Sequence, residues 1–401
     1  MFLRTRPMQH ITKVIFVVCS LFILLVFIPV AHAHEGEEED AGHLIPHQLD
    51  GLHITGGVTS ILQGTSGIAN HGDVTDFSYT LDLNFEAPVS KTGKVVIAFE
   101  AGNGKGVNDN MPSLSISNYD AYITEVNSGI DTPGVVTPSV SQVYYEGKYF
   151  DGFLGVKAGK IDVHACHDDN AYANDETDQF ITGMFVRSTG SIFPELDTYY
   201  APGVSLTLSP SEMFDFTVTG ANGNGSGFED VFSHAYTAGQ VNVKPKFLGN
   251  DGNYRFYYIY DARKYTEIGS GKTANNNGFG LSLDQNISEG IGLFARYSSQ
   301  DDSIDENLVK SSVSGGVSVS GKMWKRDNDV IGVAYGILNV NDKSSHAAAN
   351  PGDEGHFEVY YKVGFSDHFT LTPDLQVVTN AGGDAGQDTI TLLGVRGQLN
   401  F

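Results

Sequence analysis

The sequence predicts an all-β protein: a transmembrane antiparallel β-barrel of about sixteen strands, within sixteen to eighteen, with short periplasmic turns and long extracellular loops. Three observations carry that expectation. The stretch Asp388 to Phe401 alternates strictly, with Leu393, Val395, Gly397, Leu399 and Phe401 on one parity and Gly394, Arg396, Gln398 and Asn400 on the other. Successive strand residues point to opposite faces, so one face suits hydrocarbon and the other water. A soluble sandwich would show the same alternation with its apolar face inward. The aromatic Phe401 favours the barrel, because closing strands that end on an aromatic are those handed to the barrel-insertion machinery. The second observation is a ladder of further alternating segments, and the third is an export leader.

In chain order, Arg4, Arg6 and Lys13 precede an apolar run from Val14 to Val30, and Ala31-His32-Ala33 follows as a small-x-small cleavage pattern. Residues 1–33 therefore read as a cleaved signal peptide. A membrane anchor is the alternative, and the run sits at the short limit for a span. Residues 34–49 form an acidic, His-containing lead, and residues 50–401 the barrel. Cys19 leaves with the signal, and the mature chain keeps Cys166 alone, so no disulfide framework is expected.

Within the barrel region, Phe77, Tyr79, Leu81, Leu83 and Phe85 alternate with Ser78, Thr80, Asp82, Asn84 and Glu86. Similar segments cover residues 52–63, 93–103, 116–126, 140–149, 152–161, 202–209, 213–220, 236–245, 254–261, 276–286, 290–299, 313–323, 329–338, 356–365 and 368–378. Ala87–Gly93, Ser209–Glu212, Asn286–Gly290, Lys325–Asn328 and Ser366–His368 read as tight turns. Asn103–Ser115, Asn127–Pro138, Val163–Glu195, Ala221–Ser233, Asp301–Ser312 and Asn339–Gly355 are longer and more polar. Val163–Glu195 is too long for a plain connector and is expected to fold into the lumen. With 47 Gly, 19 Tyr, 24 Phe and 13 Pro, the composition suits many twisted strands with aromatic girdles.

Forty-eight acidic against 24 basic residues give a formal charge of −24, which excludes nucleic acid as a partner. No Gly-x-Ser-x-Gly elbow, His-Glu-x-x-His or phosphate-cradling loop with its lysine occurs, so neither an enzyme nor a cofactor is expected.

Several segments together resemble the carbohydrate-selective porins of the OprB family over about Asp50 to Phe401. They are Ala158-Gly159-Lys160, Asn170-Ala171-Tyr172-Ala173-Asn174-Asp175, Gly278 to Gln285, Gly292 to Tyr297, Val319 to Arg326 with Asp329, Gly332 to Gly336, Glu358 to Tyr361, and Leu371 to Gln376. The resemblance implies an outer-membrane barrel of about sixteen strands that passes sugars by diffusion (roughly the porin size class). Its implied partners are outer-membrane lipid and lipopolysaccharide, the insertion machinery through Phe401, and sugars or other small polar solutes; homo-oligomer formation stays open. General or cation- and metal-leaning passage, and a surface-binding barrel, are the alternatives.

Where the family continues with apolar, hydroxyl and Phe residues, this chain has Val163-His164-Ala165-Cys166-His167-Asp168-Asp169. His164, Cys166 and His167 are possible metal ligands, although the spacing is not that of a common structural zinc site. A polar loop replacing aromatic packing is the simpler reading. Strand parity places Arg255, Arg263, Arg296, Glu358, Lys362, Asp374 and Arg396 on the lumen wall, with Tyr257 and Tyr360 offering ring faces to a sugar. The plain alternatives are solvated wall charges and aromatic packing.

Overall fold

The computed structural model describes residues 48–49, 51–68, 72–128, 136, 138–188, 200–224, 227–231 and 233–401. The expected signal peptide, nearly all of the lead, and residues 189–195 of the long connection lie outside the described residues. Sixteen long strands form a single antiparallel sheet. They are β1 Leu52–Ser66, β2 Thr75–Pro88, β3 Gly93–Asn103, β4 Ser139–Tyr149, β5 Leu154–Asp162, β6 Tyr200–Ser211, β7 Phe214–Asn222 and β8 Ala235–Val243. The second half comprises β9 Asn250–Thr266, β10 Thr273–Ser288, β11 Ile291–Gln300, β12 Val309–Ser320, β13 Val330–Val340, β14 Glu354–Gly364, β15 Phe369–Thr379 and β16 Ile390–Asn400. Two two-residue pieces, Gln48–Leu49 and Lys246–Phe247, pair antiparallel with the first residues of β1 and β9.

The sheet closes where β16 pairs with β1, from Thr391 opposite Ser66 to Asn400 opposite Gly57. Gly56 and Phe401 then exchange two backbone hydrogen bonds of 2.9 Å. Closure removes the open edge, and hydrocarbon demands that, because a backbone group facing lipid has no water to bond.

Side chains follow the expected parity. Leu393 is 44% exposed and Leu399 38%, whereas Arg396 is 1% and Gln398 7% exposed. Leu206, Phe216, Val218, Phe256, Tyr258 and Val313 likewise stand on the outer surface. Thr59, Thr80, Asp284, Glu358 and Gln376 are buried within. Apolar outside and polar inside is the pattern of a membrane barrel.

All five expected tight turns lie at one end of the barrel, joined by Phe150–Phe153 and the connection from Lys244 to Gly249. The long connections lie at the other end. One expected strand is not a strand. Residues 116–126 alternate in sequence, yet Tyr119–Ser128 is a helix, α1. Asn118 explains it: its Oδ1 accepts from the Ala121 amide at 3.1 Å, an N-cap, and Asp120 follows in the first turn where the helix dipole favours an acid. Without that segment the seventeen alternating segments reduce to the sixteen of the closed barrel.

Candidate functional site

Two segments leave the wall and fill the middle of the barrel. The first follows β5. Its described part, Val163 to Ser188, includes the one-turn helix α2, Gly183–Val186, and packs Phe180, Met184 and Phe185 against Phe294, Ala334, Leu338 and Tyr360. Apolar side chains in a water-filled lumen need such a wall.

Charged wall residues hold this segment by its backbone. Arg296 on β11 donates from Nε to Asp168 Oδ1 at 3.2 Å, from Nη2 to the Asp168 carbonyl at 3.0 Å, and from Nη1 to the carbonyls of Ala173 and Phe185. Asp168 is completed by the Ser188 amide and hydroxyl, both at 2.7 Å. Glu358 on β14 accepts from the amides of Ile181 at 2.6 Å and Thr182 at 3.0 Å. Lys362 pairs with Asp178 at 2.7 Å, and Arg396 Nη1 donates to the Glu176 carbonyl at 2.8 Å. Arg255 pairs with Asp284 on β10 and approaches Asp169 at 3.6 Å.

The second segment runs from Lys105 through α1. Its Leu114 and Ser115 amides and Ser113 hydroxyl bond to the buried Glu354 carboxylate, and Thr80 donates to Asp120 at 3.0 Å. Gln63 and Gln376 both donate to the Ser117 carbonyl. The two segments meet edge to edge, Tyr119 N to Ile181 O at 3.0 Å and Gly183 N to Ile116 O at 2.8 Å.

These contacts revise what the expected pore-lining residues do. Arg255, Arg296, Glu358, Lys362 and Arg396 face inward, as parity requires, but they brace the inward segment. Arg263 closes on Asp261 at 2.7 Å. Asp374 is buried and accepts from Gln376 at 3.1 Å. Tyr257 and Tyr360 are buried: Tyr257 lies over Gly280 and 5.5 Å from the His167 ring, and Tyr360 lies over Gly332 and edge-on to Phe180 at 5.0 Å. A Cβ at Gly280 or Gly332 would collide with those rings, so their faces serve packing.

The three possible metal ligands do not converge. His167 Nε2 lies 2.9 Å from the Tyr236 hydroxyl, His164 stacks on His167 with centroids 6.3 Å apart, and Cys166 Sγ is directed at the Asp162 carbonyl at 3.4 Å. Among the described residues no group of three or more His, Cys, Asp or Glu is disposed for a metal. Both rings are buried, and His167 lies against Tyr236 and Tyr257, which cluster with Ile161 and Val163. Burial pushes His167 down to about 4 and His164 well below the usual range.

The face that the two segments turn to one another and to β2 and β3 is acidic. Burial, then the neighbouring Asp82 and Glu176 carboxylates, raises Asp120 well above the ordinary carboxylate range. Burial and then Asp175 push Glu176 up to about 7, while Arg187 pulls the other way. Arg187 bonds to Asp162 at 3.3 Å and Asn174 at 3.2 Å. Beside this group, on adjoining registers of β1, β15 and β16, Thr59 Oγ1, Thr372 Oγ1, Gln398 Oε1 and Arg396 Nη2 are buried without a protein partner. They alternate acceptor and donor, as a water or a solute hydroxyl requires.

Asp120, Glu176, Arg187 and Glu354 were not singled out from sequence. Asp168 carried a signal, since it falls in the departure from the family pattern; the others sit in segments read as loop or strand.

Comparison with known proteins follows the same line. A family model described as carbohydrate-selective porin, OprB family, matches residues 68–401. Porin AaxA of Chlamydia abortus is 22% identical over 284 residues, covering 69% of this chain and 60% of that protein. Porin B of Pseudomonas aeruginosa is 24% identical over 314 residues, 65% of this chain and 68% of that one. The chain thus spans about three fifths of the length of the first of these relatives. Among solved structures, OprB of Pseudomonas putida at high pH superposes with a TM-score of 0.73 at 20% identity, covering 88% of this chain and 94% of that one, a likeness of fold.

Proposed function

The chain belongs to the carbohydrate-selective porin family, OprB, and from that premise we propose that it sits in the outer membrane and passes small neutral sugars and similar polar solutes by diffusion. The observation that carries this reading is the inward segment braced by Arg296, Glu358, Lys362 and Arg396, which narrows a closed barrel while leaving polar and acidic groups around the passage. A neutral polyol gives up water easily only where donors and acceptors replace it. The second reading is a cation-leaning general pore: Asp82, Asp120, Asp175 and Glu176 stand together, and because burial favours the proton on Asp120 and Glu176, their preference for cations over anions grows as pH rises through about 7.

Several further features belong to the same proposal. Cleavage falls after Ala33, Phe401 presents the closing strand to the insertion machinery, lipid and lipopolysaccharide contact the outer face, and the chain carries out no catalysis. N-terminal sequencing of the outer-membrane protein should begin at His34; an intact Met1 end in the inner membrane would restore the anchor reading. Liposome swelling tests transport directly. Vesicles holding the refolded protein should swell in glucose and progressively less in larger oligosaccharides. Vesicles that do not swell in any sugar, from a barrel that is folded, would leave a surface-binding role.

A further inference from the structure

A cavity of about 430 Å³ lies apart from the constriction, on the inner wall formed by β4 to β8. It runs from Ala165 and Cys166 in the inward segment down to Gly152, Ser209 and Lys244 at the short-turn end. Its size is that of a small-molecule site. Three lysines, Lys148, Lys157 and Lys244, line it against two carboxylates, Glu146 and Asp215, so one positive charge is left over in an otherwise acidic protein.

Pairing leaves Lys148 and Lys157 without a carboxylate within 4.0 Å among the described residues, although Glu146 stands opposite Lys157 in register, and Lys157 is the one directly opposite Ser205 of β6. Lys244 is taken by Asp215 at 2.9 Å, and Asp215 also accepts from Ser209 at 2.7 Å. Glu146 is 3.9 Å from Lys94. Lys157 stands over the Tyr144 ring at 4.8 Å, and among the described residues no carboxylate lies within 4.0 Å of it. Beside it, β6 and β7 present Ser205 and Thr207 opposite Thr219 and Thr217, bonded across the strands at 2.8 and 3.0 Å. Ser205 and Thr219 also meet the Cys166 thiol, whereas Thr207 and Thr217 line the cavity, and their hydroxyls, each with one donor and two acceptor sites, keep bonding capacity for a third group. Gly152 and Gly155 leave the floor open, with no atom closer than 3.5 Å to where a Cβ would stand.

We infer that this cavity is a binding station for a sugar carboxylate, such as a uronic or aldonic acid, with Lys157 meeting the carboxylate and the β6–β7 hydroxyl row meeting the sugar hydroxyls. A neutral hexose leaves the Lys157 charge unanswered, and a simple carboxylate leaves the hydroxyl row unused. The inference rests on the diffusion-pore reading for access to the cavity, and its test separates the two.

The full mature protein is reconstituted in a planar bilayer, and current is recorded with glucuronate, glucose or acetate on both sides. Glucuronate should block at about a tenfold lower concentration than glucose, the scale of one added charge-assisted hydrogen bond. Acetate should not reproduce that block. Lys157→Gln should bring glucuronate to the level of glucose, and Lys157→Arg should keep most of the difference. Measurable block of equal strength by glucuronate and glucose, or a difference that survives Lys157→Gln, overturns the inference; block by acetate as strong as by glucuronate overturns its sugar part. Cys166 gives a second readout on the wild-type chain, since it lines the cavity. Glucuronate, and not glucose, should slow its modification by a thiol reagent, and no protection overturns the site even if the lysine variants fail to insert. If neither sugar alters the current while Cys166 is protected, the diffusion-pore reading fails and the site stands.

Discussion

Arg296 joins the barrel wall to the inward segment through one carboxylate and three carbonyls, all in the interior. Removing one partner of a buried ion pair costs about 3–5 kcal/mol, because the other is left unanswered. Much of that cost is avoided here if the segment lets go of the wall and Asp168 reaches water. Arg296→Met should therefore leave a folded, heat-modifiable barrel with a larger single-channel conductance. Unchanged conductance would mean that Glu358, Lys362 and Arg396 suffice to hold the segment. Glu176 adds a pH dependence. Its carboxyl is pushed from an ordinary 4.5 to about 7, so the proton is favoured with the segment in place. The stabilisation is complete below the ordinary value and lost as pH rises through about 7. Conductance noise from segment motion should grow between about pH 4.5 and about pH 7 and flatten in Glu176→Gln. A profile that Glu176→Gln leaves unchanged would place the titration elsewhere. At this scale parity named Arg255, Arg296, Glu358, Lys362 and Arg396 as inward, but alternation reports only the face of a strand. What covers that face is decided by a segment distant in sequence, which is why the bracing contacts they make were not legible.

The closing strand β16 shows how much an element's pattern can decide. Its period of two separates Leu393 and Leu399 from Arg396 and Gln398, and the exposures follow that separation. An Arg on the lipid face costs roughly 2–4 kcal/mol at the midplane and less towards the interfaces. Leu393→Arg should thus lower refolding yield well below that of Gln398→Arg; equal yields would contradict the outward placement of Leu393. The helix α1 shows the opposite case. Residues 116–126 alternate as a strand does, and only the Asn118 cap and Asp120 behind it mark a helix start. Short apolar runs carry too few residues for period alone to decide. Replacing Val163 to Asp169 by a Gly/Ser linker removes Asp168 and the His167–Tyr236 bond together. The linker variant should conduct more and lose sugar block, and zinc should affect the wild type and linker currents alike, since His164, Cys166 and His167 do not converge. Zinc sensitivity confined to the wild type would revive a metal role.

At the scale of the molecule, the barrel was legible because sixteen segments each repeat one binary pattern, and errors in single segments average out. The filling of the lumen was not legible, because it depends on which loops find apolar and charged partners across the barrel, as Phe180 finds Phe294 and Tyr360, and Arg296 finds Asp168. Whole-chain charge bears on function only through the acids that reach the passage, since others on the loops are screened beyond about 8 Å at physiological salt. With Asp82, Asp120, Asp175 and Glu176 clustered, reversal potentials in a salt gradient should show a preference for the cation that strengthens as pH rises through about 7; an anion preference would give the passage to Arg187 and Arg396. The central claim is a sugar-permeable passage narrowed by an inward segment. It is tested most directly by single-channel current of the wild type and the Val163 to Asp169 linker variant as glucose is added to both sides. The wild type should show a small conductance that glucose reduces in a graded, saturable way, and the variant a larger one that glucose reduces only as far as it raises solution viscosity. A wild-type conductance as large as the variant's and equally indifferent to glucose would contradict the account.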